Sequence, residues 1–167
     1  MLIRVFAVIM VMLCGTFCGI NYSEKLRKRV IFCSEAEKMM QLCEIMIRSS
    51  GTEVYKLVDR LKNENYTVLR FIDELSDSYS ADENFREKWS AAVSESRYIC
   101  DEEKRVLTDF GSFLGSTDIS GQLDGIAMQL ECMHGIFQQR LAEYRQKGRL
   151  YRSLGMLAGL TVGIAVI

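Results

Sequence analysis

Residues 119–144, ISGQLDGIAMQLECMHGIFQQRLAEY, decide how the rest of the chain is read. Leu123, Ile126, Leu130, Met133, Phe137, Leu141 and Tyr144 recur by threes and fours, the period of one face of an α-helix. A strand would need strict alternation, and none is present. A seam of this length and period suits coiled-coil-like packing against a second long helix near the N-terminus. Gly125, Gly135 and Gly148 each weaken the helix by about 1 kcal/mol relative to alanine.

Toward the C-terminus the pattern runs into Leu154–Ile167, which carries no charged side chain and spaces Gly155, Gly159 and Gly163 four apart. Those fourteen residues give about 21 Å of helix against roughly 30 Å of bilayer hydrocarbon. Extension back to Leu150 adds a turn if Arg152 snorkels toward the headgroups. The other end of the chain matches this one. Leu2–Ile20 is apolar except for Arg4 and contains Gly15 and Gly19. No small residue precedes Cys14 or Cys18, as a lipoprotein signal requires, and no Ala-x-Ala cleavage site follows, so a retained helix is expected.

Lys25, Arg27, Lys28 and Arg29 follow the first apolar segment, and Arg140, Arg145, Lys147, Arg149 and Arg152 precede the second. Such clusters resist translocation, so both place the intervening chain in the cytosol. The expected layout is an N-terminal transmembrane helix over 1–22, a cytosolic helical bundle over 23–150 and a C-terminal transmembrane or membrane-inserted helix over 151–167. In lipid, close backbone approach through small residues replaces the hydrophobic drive for association. Gly15 and Gly19, with Gly155, Gly159 and Gly163, are therefore candidate membrane helix-packing positions, between the two ends or with a second copy of the chain.

The middle reads as all-α, a bundle of about six helices. Leu26, Val30, Cys33, Ala36, Met40, Cys43 and Ile47 predict a first helix over 24–48. Ser50 and Glu53 have capping-box spacing before Val54, Leu57, Val58 and Leu61. Val68, Phe71, Ile72, Leu75 and Tyr79 predict a third helix; Asp82 opens a fourth through Phe85, Trp89, Ala92 and Val93; Asp101 caps a fifth with Val106, Phe110, Phe113 and Leu114. The chain has no proline in 167 residues, where about eight would be ordinary, as long helices require.

Several function classes are disfavoured. A net charge of −1 and the absence of a lysine-rich tract argue against nucleic-acid binding. The six cysteines include no Cys-x-x-Cys pair, and Cys33, Cys43, Cys100 and Cys132 occupy apolar helix positions, where cysteine acts as a small hydrophobe. The single His134 has only Cys132 nearby, too little for a zinc site. No nucleophile elbow, phosphate loop or zinc-protease motif occurs. A non-enzymatic protein without cofactor or metal is expected.

The stretch Leu107-Thr-Asp-Phe-Gly111-Ser-Phe-Leu-Gly115-Ser-Thr-Asp118-Ile-Ser-Gly-Gln122, followed by Leu150-Tyr-Arg-Ser-Leu-Gly155-Met-Leu-Ala-Gly159, resembles the stage III sporulation protein AB family. Glu44-Ile45 falls where the family has an acidic-Ile pair, and Trp89 matches its isolated tryptophan; the family commonly has Thr-Pro opening its second helix, whereas here Thr52 is followed by Glu53. The resemblance implies a membrane protein of the mother cell of endospore-forming bacteria, part of the channel-like complex facing the forespore. Its helical domain is similar to type II secretion F-type platform domains, and the implied partners are a cytosolic secretion-type ATPase and other membrane subunits. Within it, Gly111, Gly115, Asp118 and Gln122 are candidate partner or helix-packing residues: the glycines for close helix approach, Asp118 as a helix cap and Gln122 one turn on. The alternative is a membrane-tethered adaptor or signalling protein unrelated to sporulation.

Overall fold

In a computed structural model the chain forms six α-helices and no strand among the described residues: α1 Leu2–Ser50, α2 Val54–Asn63, α3 Phe71–Ser78, α4 Phe85–Glu95, α5 Asp101–Phe113 and α6 Ile119–Val166. The structure describes residues 2–50, 54–64, 66–78, 84–96, 99–115 and 118–166. Within these, the side chains of 2–9, 11–12, 50, 54–55, 76–78, 148–149, 151–152, 154–156 and 158–166 are not described.

The apolar ends are not helices added to a bundle of six. They lie within α1 and α6, which are far longer than the periodic stretches that announced them. Proline-free sequence lets both helices run on through polar and apolar stretches of sequence alike. Among the described residues no helix is long and apolar enough to cross a membrane. Much of the apolar sequence behind the expected flanking membrane helices, residues 2–9 and 158–167, lies outside the described side chains.

The chain divides into two compact units, one of Met1–Val30 with Gln139–Ile167 and one of Ile31–Gln138. The second holds the core: Phe32, Cys33, Ala36, Met39, Met40, Cys43 and Ile47 of α1, Leu57, Val58 and Leu61 of α2, Phe71, Ile72 and Leu75 of α3, with Ile126, Met133 and Ile136 of α6. Helices α2, α3, α4 and α5 pack in sequence, each against the next of the pairs α2–α3, α3–α4 and α4–α5.

At its centre Trp89 of α4 is fully buried, with Phe71 edge-on at 5.5 Å and Phe85 and Phe110 at 5.6 and 5.8 Å between ring centroids. Such pairs add about 0.5–1.5 kcal/mol each beyond the area they bury.

Several local expectations change. Val68 precedes α3 instead of starting it, because Glu35 of α1 holds that turn: its carboxylate accepts the backbone N–H groups of Thr67 (2.8 Å), Val68 (2.8 Å) and Leu69 (3.1 Å). Asp101 is the first residue of α5, and the cap is Cys100, whose N–H donates to the Glu103 carboxylate at 2.8 Å. Ser50 is the last residue of α1, while Glu53, Tyr79 and Asp82 lie outside the described residues. Of the cysteines placed at apolar positions, Cys33 and Cys43 are buried, Cys100 is half-buried and Cys132 is exposed.

Candidate interaction site

The residues singled out in sequence meet at the turn from α5 to α6, but each does a different job. Gly111 is buried against α4, where a Cβ would land inside the Trp89 indole. The missing side chain has a second use. Trp89 Nε1 donates to the carbonyl of Leu107 at 2.7 Å, one turn before Gly111, and the bare glycine leaves that carbonyl open to the ring. A buried indole N–H left unpaired would be costly, so Gly111 and Trp89 form one locking unit.

Gly115 is not on the face of α5. It lies past the last helical residue, Phe113, at φ 82°, a left-handed conformation that glycine adopts without strain. The expectation of close helix approach there is corrected: Gly115 turns the chain. The close approach between α5 and α6 falls instead at Gly125, where a Cβ would collide with the Phe113 ring.

Asp118 caps α6. Its carboxylate accepts the backbone N–H groups of Ser120 (3.2 Å) and Gly121 (3.0 Å) and the Ser120 hydroxyl (2.9 Å). These bonds, the hydroxyl first, hold its carboxyl below the usual carboxylate range. The first helical bond runs from Gln122 N–H to the Asp118 carbonyl at 3.0 Å, and the Gln122 side chain is buried. Gly111, Asp118 and Gln122 are thus engaged within the bundle. What the corner offers outward is a shallow groove of about 550 Å³ between α4 and α5, lined by Arg86, Ser90, Thr108, Asp109 and Ser112, with Arg86 donating to the Ser112 carbonyl at 2.8 Å.

Two contacts escaped sequence reading. Glu35 and its three N–H donors are more than thirty residues apart, and a glutamate on a helix carries no local sign of such a role. His134 Nδ1 lies 2.8 Å from Glu37 Oε1, joining α6 to α1 across 97 residues. Among the described residues no three His, Cys, Asp or Glu side chains gather as metal ligands would.

The other unit carries a different surface. On α1, Met10, Leu13, Phe17 and Ile20 step by threes and fours and are 46–67% exposed. Gly19, Ser23 and Leu26 turn the opposite way and are buried, with Gly15 half-buried beside them. A helix in water ordinarily buries its large apolar face; this one shows that face and turns Gly19 and Ser23 inward. Leu150 and Leu157 of α6 are exposed as well. Gly155, Gly159 and Gly163 lie outside the described side chains.

Charge divides along the same boundary. Of 21 basic and 22 acidic side chains, ten basic and two acidic fall in the unit of 1–30 and 139–167, leaving eleven and twenty for the unit of 31–138. The net charge of −1 therefore hides a strongly basic unit and a strongly acidic one.

No curated protein and no solved structure matches the chain. The family model for stage III sporulation protein AB matches residues 4–167, through both units and the α5–α6 corner alike. A sporulation-related protein is what that match implies, and the chain belongs to the stage III sporulation protein AB family.

Proposed function

We propose that the chain is a non-enzymatic platform component of a sporulation-specific, secretion-like complex between mother cell and forespore. The apolar, basic unit anchors it in the mother-cell membrane, and the acidic helical unit faces the cytosol, coupling a secretion-type ATPase to the membrane subunits. One observation carries this reading: the exposed Met10, Leu13, Phe17 and Ile20 stripe with Gly19 and Ser23 turned inward, followed within about three turns by Lys25, Arg27, Lys28 and Arg29. Apolar surface ending in a basic belt is the arrangement that lipid tails and anionic headgroups select. The family match supplies the setting.

The platform role is tested in an endospore former by replacing the native gene with a variant bearing Leu13→Glu and Phe17→Glu. The proposal expects the variant to leave the membrane fraction, to stop co-purifying with the ATPase, and to lower the count of heat-resistant spores at least tenfold. Normal sporulation from a soluble variant contradicts it.

A further inference from the structure

Just past the exposed apolar stripe, Tyr22, Lys25, Leu26 and Arg29 line a cavity of about 140 Å³, well above the room one ordered water needs. The four residues stand at i, i+3, i+4 and i+7 on a single face of α1. Leu26 is buried, while Lys25 is exposed.

Two features show that the cavity is unsatisfied. Arg29 Nε is a buried donor, and among the described residues it has no hydrogen-bond partner. Buried donors are nearly always paired, and donors on charged groups are the costliest to leave open. Lys25 and Arg29 are also like charges at i, i+4, a spacing at which they repel. Other basic side chains of the same unit are quieted by acids: Arg27 by Glu24 at 3.2 Å, and Arg140 and Lys147 by Glu143 at 3.6 Å each. No such acid serves Lys25 or Arg29 among the described residues. An oxyanion in the cavity would accept from Arg29 Nε and turn the repulsion into two attractions.

We propose that Tyr22, Lys25 and Arg29 form a phosphate-binding site, with the phosphodiester of an anionic lipid headgroup as ligand. This rests on the membrane reading for the source of the phosphate but not for its chemistry. The site begins where the apolar stripe stops, the depth at which headgroup phosphates lie. Tyrosine suits such a boundary, with an apolar ring and a polar tip.

The test uses the full chain purified in a neutral detergent, with two probes: phosphatidylglycerol, read by native mass spectrometry, and inorganic phosphate, read by calorimetry. Arg29→Lys keeps the charge and removes the buried Nε–H, Lys25→Gln removes an exposed lining charge, and Lys28→Gln removes a neighbouring charge outside the cavity. Helicity by circular dichroism checks that each variant is folded. The expected result is retained phosphatidylglycerol, bound at least tenfold more weakly by Arg29→Lys and Lys25→Gln and within twofold of the parent by Lys28→Gln. Phosphate binding with the same variant pattern supports the oxyanion chemistry and assigns a soluble source. Equal losses in all three variants, or no effect of Arg29→Lys on either probe, overturn the site. Flotation of the parent chain with phosphatidylcholine vesicles is scored separately. A chain that floats while Arg29→Lys changes nothing loses the site and keeps the membrane reading. One that does not float, yet binds phosphate through Arg29, loses the membrane reading and keeps the site.

Discussion

Gly111 and Gly115 look alike in sequence, four residues apart and both glycine, and they fail differently when changed. Gly111→Ala pushes a methyl group into a fully buried indole. Overpacking of that kind costs about 1–3 kcal/mol, and thermal melting of the purified chain should show it. Gly115 needs only its left-handed backbone, so Gly115→Asn should be nearly neutral in the same melt while Gly115→Val is strained, since a β-branched residue tolerates φ 82° poorly. Glu35→Gln removes the negative acceptor for three backbone N–H groups and should lower stability by about 1–3 kcal/mol in chemical unfolding, without loss of helix content. Asp118→Ala should lower the melting temperature at neutral pH. Because the folded carboxyl titrates below its usual range, its contribution is complete above the ordinary carboxylate pKa and vanishes as pH falls through the lowered native value. The parent and Asp118→Ala melts should therefore converge in acid; a gap that persists there points to something other than the charged cap.

Among elements, the long periodic ones were the legible ones. The seam of α6 and the stripe of α1 are visible because a core-facing helix must repeat its apolar residues every three to four positions, and both do so over many turns. The short helices were blurred at their starts. Val68 fits the apolar period of α3 yet sits in a turn clamped by Glu35, and Asp101 has the chemistry of a cap yet lies one residue inside α5. In both cases the deciding partner is a glutamate: Glu35, whose sequence context says nothing about it, and Glu103, whose capping-box spacing is hidden because a cysteine holds the cap position. The same limit applied to Cys132, which follows the α6 pattern loosely and is exposed, while Cys43 is fully buried. Burial pushes the Cys43 thiol far up, and burial, followed by the neighbouring Cys43 and the glutamates Glu64 and Glu35, does the same for the Tyr66 phenol. Both groups favour the neutral form when folded, so the bundle should lose stability as pH rises above the ordinary thiol value of 9.0. A maleimide applied to the folded chain near neutral pH should label Cys132 readily and spare Cys33 and Cys43 until denaturant is added; rapid native labelling of Cys43 contradicts this packing.

For the molecule as a whole, the sequence marked the apolar ends and their basic flanks, and the family resemblance reached nearly the whole chain. It did not show that one unit takes ten of the basic side chains and only two acidic ones, since that division follows chain segments brought together from opposite ends. Composition averages such a division away. In the proposed function the basic, apolar unit sits in the membrane and the acidic unit in the cytosol. The most direct measurement uses the parent chain in intact cells, combining alkaline-carbonate extraction with labelling of the exposed Cys132. The chain should stay in the carbonate-resistant membrane fraction, and Cys132 should react with a membrane-permeant maleimide but not with an impermeant one. Release of the chain by carbonate, or labelling of Cys132 by the impermeant reagent, would contradict it.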